Sequence, residues 1–440
     1  MKRCALTAVL VCLLAMAAAC RSVPVIGEKS DESDEFTWQG TLRLGLFTMT
    51  KGPLFPYEAG TDPIWKPMIQ ERLKDFMEAH PGVQIEVVDI HSGPGWLETV
   101  LNDPDLRPDV VELTPYQAWR MADQLMNLTD WIHQETGWTG AYAELAARMS
   151  PDEGTLLLPL RVIPWIVFYD PEQFRELGIP EPAEDWTIYD FVETAQRLAE
   201  AGRPVGSMGG LEAAERIVRA WGGRYTSPDG GSVIGWMDSE ETVDAFVRYA
   251  QLVPAGLDSG DPKELPALGM WEASSLRNLY LIRYADYGIG PTPKVPDGER
   301  INVAKMSGLA VLKDSEHPYA ALDLLKWLIG RNDEEALTFV ADHTLDTVSE
   351  SFTTSPHASV AALKERMREE IAVAVPASFQ PYLARAGYYD LRNPWPLRTS
   401  EEIAAWRDRE TAKHELADLA RQFEEWLAKA ATQAPDEAYP

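Results

Sequence analysis

The chain has 440 residues, 45% hydrophobic and 25% charged, the balance of an ordinary globular protein rather than a disordered, collagenous or coiled-coil one. Lys and Arg number 40 against 69 Asp and Glu, a formal net charge of −29, which repels nucleic acid where no basic patch exists. A chain of this length buries enough surface to fold without a disulfide or metal staple.

The first twenty residues read as an address. Met1-Lys2-Arg3 is cationic, Cys4 to Cys20 carries no charge, and Ala17-Ala18-Ala19-Cys20 closes the run with small residues. That layout predicts a secretory signal peptide, with a short transmembrane anchor as the alternative. The segment resembles a bacterial lipoprotein signal. The resemblance implies removal of residues 1–19 and lipidation of Cys20; conventional cleavage at an A-x-A-like site is the other outcome. Residues 20–39 form an acidic linker with Glu28, Asp31, Glu32, Asp34 and Glu35. All three cysteines, Cys4, Cys12 and Cys20, lie at this end, so the body holds no disulfide, Cys-ligated zinc or cysteine nucleophile.

Leu42, Leu44 and Leu46 alternate as a strand. A turn-rich stretch from Thr50 to Pro63 follows. Trp65, Ile69, Leu73 and Phe76 then recur at helical spacing until Pro81-Gly82. Val83, Ile85 and Val87 alternate again, so strand, helix and strand imply a βαβ unit with a parallel sheet. Pro108 to Leu113 predicts a third, buried strand. Leu156 to Tyr169 is apolar but interrupted by Pro159 and Pro164, which argues against one central strand and for a segment crossing between lobes. Thr187 with Asp190 predicts a capped helix start, and Asp238 or Ser239 another, burying Val243, Phe246, Val247 and Ala250. Ala285 to Pro296 predicts a second crossing. Ser307 to Lys313 follows as a strand, Tyr319 to Ile329 as a helix, and Thr399 to Ala431 as a helical tail.

Motifs for common chemistries are missing. No two of the seven histidines lie within five residues of each other, so H-E-x-x-H is absent, as are a Walker A loop and a G-x-S-x-G elbow. Gly288-Ile289-Gly290 runs into Pro291-Thr292-Pro293 rather than a helix, so it is no dinucleotide fingerprint. Aromatic surface remains: Trp equals Tyr at 15 each. Trp165, Trp221 and Trp271 sit beside Gly, Pro or polar residues. Flat rings with a polar rim suit the C–H faces and hydroxyls of a sugar, and core packing is the bland alternative for each.

Taken together, Phe76 to Val83 (F-x-x-x-H-P-x-V), Pro108-Asp109-Val110-Val111, Leu158-Pro159 to Asp170, Leu177-Gly178-Ile179-Pro180 with Trp186, Trp221-Gly222-Gly223, Tyr287 to Pro293 and Ser307 to Val311 with His317-Pro318 resemble the bacterial extracellular solute-binding proteins, the cluster that includes the maltose-binding protein. The resemblance covers most of Thr41 to Gly330. The family's G-x-W tryptophan falls at Ser274 here, and Trp271 comes three residues earlier.

The resemblance implies an α/β, two-lobe periplasmic-binding-protein-like fold with hinge crossings and a ligand cleft. Residues 40–160 plus 302–341 would form one lobe, and 161–301 plus 342–440 the other. It implies a lipid-anchored, extracytoplasmic, monomeric receptor that passes a sugar or oligosaccharide to an ABC importer permease, with no cofactor, metal, nucleic acid or catalysis. An extracytoplasmic glycan-acting enzyme and a sugar-sensing or adhesion module are the alternatives. Candidate ligand residues are Thr48, Glu112 and Tyr116 at strand C-terminal ends, Arg161 and Trp165 on the first crossing, Lys305 after the second, and Trp221 and Trp271 from the second lobe. Arg161 and Lys305 would pair an anionic ligand, or a carboxylate of the chain itself.

Overall fold

The structure is a computed structural model that describes residues 38–48, 66–91, 96–150, 154–206, 211–253, 266–273, 287–346, 360–378 and 400–432. The signal segment, Cys20, the linker to residue 37 and Ser274 lie outside the described residues. The chain divides into two compact units, Met1–Trp38 and Gln39–Pro440, and everything below concerns the second.

The predicted βαβ unit forms as β1 (Gly40–Thr48), α1 (Lys66–Ala79) and β2 (Val83–His91). β1 and β2 pair in parallel along their whole length. Leu42, Leu44 and Leu46 on β1 and Ile69, Leu73 and Phe76 on α1 are all at most 4% exposed. Each such side chain contributes about 1.5–3 kcal/mol through burial. Helix α2 (Trp96–Asn102) leads to β3 (Val110–Leu113), a wholly buried strand parallel to β1.

Three helices, α3 (Pro115–Arg120), α4 (Thr129–Glu135) and α5 (Ala141–Arg148), precede β4 (Leu158–Ile163). The apolar run divides at Pro164, and β5 (Trp165–Tyr169) enters a different sheet. Two prolines therefore rule out one long strand but not two short ones. β4 is the end of its sheet order, where Pro159 costs no ladder bond.

Helices α6 (Pro171–Glu176), α7 (Ile188–Glu200), α8 (Leu211–Ala220) and α9 (Glu240–Leu252) follow, then β6 (Leu268–Glu272) and β7 (Gly288–Gly290). β8 runs from Asn302 to Val311, starting five residues before the predicted strand. It is followed by α10 (Pro318–Ile329), α11 (Asp333–Asp346), α12 (Val360–Ala372) and β9 (Ala374–Pro376). The helical tail is two helices, α13 (Ser400–Ala405) and α14 (Arg409–Thr432). The break comes where Trp406 plugs the core at 2% exposure and Asp408 accepts from Thr411 N at 2.9 Å, capping α14.

Two sheets result. The larger runs β2-β1-β3-β8-β4, with β9 beside β8; the smaller runs β6-β5-β7. β8 is antiparallel to both β3 and β4, so Leu44 and Leu309 share one sheet. β9 pairs in parallel with β8, which joins residues 374–376 to the larger sheet although the sequence reading groups 342–440 with the second lobe. The outer edge of β4 is covered by α11: the Thr344 hydroxyl donates to Val162 O at 3.1 Å and accepts from Val162 N at 3.2 Å. A second core packs on one face of the smaller sheet, with Val167, Phe191, Phe246, Trp406, Leu416, Leu419 and Phe423.

Candidate ligand cleft

The parallel strands β1, β2 and β3 end on one edge of the larger sheet. The antiparallel pairing of β8 and β4 brings residues 302–307 and 161–163 to that same edge. Both crossings leave from it: Ile163-Pro164-Trp165 into the smaller sheet, and residues 291–301 back out of it. Ligands of open α/β sheets bind at strand C-terminal ends, so this edge is the candidate site.

Glu112 sits there, 1% exposed. The ladder between β1 and β3 spans Leu44 and Gly45 only. Beyond it the strands splay, and the Glu112 carboxylate takes the freed Phe47 N–H at 2.8 Å. Its other oxygen accepts from Arg161 Nη2 at 3.0 Å and Ser307 Oγ at 2.5 Å. Glu112 and Arg161, 49 residues apart, are thus an ion pair, with the Arg161 side chain 15% exposed. Among the described residues Arg161 Nε is buried with no hydrogen-bond partner. On α11 behind them, burial first and the Arg161 charge second push the His343 imidazole down to about 3.

Lys305 is likewise committed. Its Nζ lies 2.8 Å from Glu272 Oε1 and 3.0 Å from Oε2, with both side chains under 20% exposed. The pair ties β8 of the larger sheet to β6 of the smaller. Both candidate cations therefore have carboxylate partners: Glu112, itself a candidate from the sequence, and Glu272, which was not picked out.

Trp165 lies opposite Glu272, and Trp271 opposite Ile166, in the β5–β6 pairing. The Trp165 ring is half-buried against the second core. Alternation puts Trp271 on the other face, half-buried, its ring 6.0 Å from that of Phe168. Its indole rests on two glycines: a Cβ would come within 2.5 Å of the ring at Gly269 and 2.9 Å at Gly206.

The remaining candidates sit apart or are occupied. Tyr116, on α3 just after β3, is 6% exposed beneath the Arg120 guanidinium at 5.7 Å. Trp221 follows α8, outside both sheets, against the second crossing. Its Nε1 donates to Pro296 O at 3.1 Å, and Arg248 covers its ring at 4.3 Å. Thr48 ends β1; its side chain lies outside the described residues.

The sequence reading missed Ser307, Glu272 and Asn302. Asn302 is fully buried at the start of β8. Its Oδ1 accepts from Trp165 N at 3.0 Å, and its Nδ2 donates to Trp165 O at 2.9 Å. An amide at the mouth of a crossing was the available signal.

The family described as bacterial extracellular solute-binding protein matches residues 56–332, more than half of the chain. The chain belongs to the bacterial extracellular solute-binding proteins. The family is one of extracytoplasmic binding proteins rather than enzymes, and among the described residues no helix is long and apolar enough to cross a membrane. No curated protein matches the chain. Among solved structures, a family 1 extracellular solute-binding protein from Alicyclobacillus acidocaldarius is similar at 14% identity and a TM-score of 0.62, covering 89% of this chain and 100% of that one. A sugar transporter from Rhizobium etli in an open conformation is similar at 19% identity and a TM-score of 0.59, covering 87% and 99%. A cyclic alpha-maltosyl-1,6-maltose binding protein from Arthrobacter globiformis is similar at 14% identity and a TM-score of 0.58, covering 88% and 100%. The fold of this solute-binding protein is the two-lobe, periplasmic-binding-protein-like α/β fold.

Proposed function

We propose that this solute-binding protein captures an uncharged sugar or oligosaccharide between its lobes and hands it, unaltered, to an ABC importer permease. The larger sheet would be the floor of one lobe and the smaller sheet that of the other, with hinges at residues 163–165 and 291–302. The observation that carries the reading is the neutralised cleft edge. Arg161 is paired with Glu112 and Lys305 with Glu272, while Trp271, the residue before Glu272 on β6, is only half-buried. A phosphate or carboxylate ligand would have to compete with buried carboxylates for either cation, whereas a neutral sugar needs a ring face and hydrogen bonds. The cyclic maltosyl-maltose ligand named for the Arthrobacter protein, and the sugar transport named for the Rhizobium one, support the class. Anchoring through a lipid on Cys20 belongs to the same reading, and Cys20→Ser should release the protein from membranes.

Titration calorimetry against neutral oligosaccharides and their phosphorylated or uronate counterparts tests the proposal. Tight binding of a neutral sugar that is recovered intact is the expected result. Preference for the anionic counterparts, or conversion of the sugar, would overturn it.

A further inference from the structure

Glu370 on α12 lies beyond the matched residues 56–332. It is fully buried and meets both crossings. Its Oε1 accepts from Thr292 N at 3.0 Å, and its Oε2 accepts from Thr292 Oγ1 at 2.6 Å and Asn302 Nδ2 at 2.9 Å. Asn302 in turn brackets the Trp165 peptide from both sides. One carboxylate thus fixes the second crossing directly and the first through an amide.

Beside it stands an unsatisfied charge. Arg216 on α8 is 3% exposed, and among the described residues its Nη1 and Nη2 are buried with no hydrogen-bond partner. Burial pulls this guanidinium down to about 10, and Glu370 is the opposite charge that acts on it most strongly. A buried guanidinium without acceptors is costly, and native structures rarely keep one. In the arrangement described, Thr292 and Asn302 supply the donors to the Glu370 carboxylate, and Arg216 supplies none.

Resting on the two-lobe receptor reading above, we propose that Glu370 is a positioning residue of the hinge with two alternative sets of donors: Thr292 and Asn302 in the arrangement described, and Arg216 in a second arrangement that frees the crossings to turn. Each set satisfies what the other leaves bare. An element with two such discrete arrangements is what converts a small contact change into lobe movement. The exchange also biases ligand affinity without touching the ligand, because only a fraction of molecules is then competent to bind.

The test measures distances between spin labels in the two lobes without ligand. Replacing Cys4, Cys12 and Cys20 with Ser leaves no native thiol, and labels go on Gln84→Cys in β2 and Glu193→Cys in α7, both exposed. Two distances are expected in this background. Arg216→Met should remove one of them. Thr292→Val, which deletes a clamp donor, should shift the population the opposite way by about tenfold. Near-UV circular dichroism checks that each variant is folded, so a merely structural loss is separated from an altered hinge. A single distance in the background protein, or two distances unaffected by both substitutions in folded variants, would overturn the proposal. Neither outcome touches the calorimetric test of sugar binding, which decides the receptor reading by itself.

Discussion

Glu112 illustrates how much of the cleft edge rests on single side chains. A carboxylate 1% exposed and serving donors from β1, β4 and β8 has no solvent to fall back on. Glu112→Ala would leave Arg161 buried without its counter-charge, a loss of about 3–5 kcal/mol. The double variant Glu112→Gln with Arg161→Met should recover most of it, because no uncompensated charge then remains; urea denaturation reads both. His343 carries a second residue-scale prediction. Its imidazole titrates near 6.5 when unfolded and near 3 when folded. Between those values the unfolded state binds the extra proton, so stability is complete above about pH 6.5 and declines as pH falls toward 3, by roughly 1.4 kcal/mol per pH unit. His343→Leu should flatten that part of the stability–pH profile. An unaltered slope in the variant would show that another group carries it. From the sequence, Glu112, Arg161 and Lys305 were legible as candidates one at a time. Their pairing was not, because partners separated by 49 and 33 residues meet only through strand order, which no local pattern encodes.

At the scale of elements, legibility followed local chemistry. Thr187 and Asp190 form the capping box that their spacing predicts: Asp190 N donates to Thr187 Oγ1 at 3.3 Å and Thr187 N to Asp190 Oδ2 at 2.7 Å. Thr187→Ala should therefore cost about 0.5–2 kcal/mol, seen as a lower urea midpoint with an unchanged m-value. The leucines of β1 and the apolar stripe of α1 were equally plain, since burial on one face dictates their period. What failed to show was set by tertiary context. β8 begins at Asn302 because β9 and the first crossing supply partners there, and within residues 302–306 only the Asn302 amide hints at either. The tail reads as one helix because the spacing continues through Trp406. Its break depends on that indole packing edge-on against Phe246, ring centroids 5.2 Å apart, a contact more than 150 residues distant in the chain.

For the whole molecule, the consequence of a cleft between two sheets is that ligand and stability are linked. A sugar bound only by the folded protein adds about 2.7 kcal/mol at one hundred times its dissociation constant. The tryptophans should divide sharply under this test. Trp271 rests on Gly206 and Gly269, where an added Cβ would come within 2.9 Å, and the residue is only half-buried. Trp271→Ala should therefore weaken binding by about 1–3 kcal/mol, by analogy with aromatic stacking on bases, and reduce the ligand-induced rise in melting temperature accordingly. Trp221 has its indole nitrogen held by Pro296 O at 3.1 Å and its ring covered by Arg248 at 4.3 Å. Trp221→Ala should lower the melting temperature of the free protein and leave the ligand-induced rise nearly unchanged. Thermal melts of both variants, with and without the sugar found by calorimetry, make the comparison. Equal loss of the ligand effect in both would mean that Trp221 also faces the sugar, and the division drawn from the contacts of the two rings would be wrong.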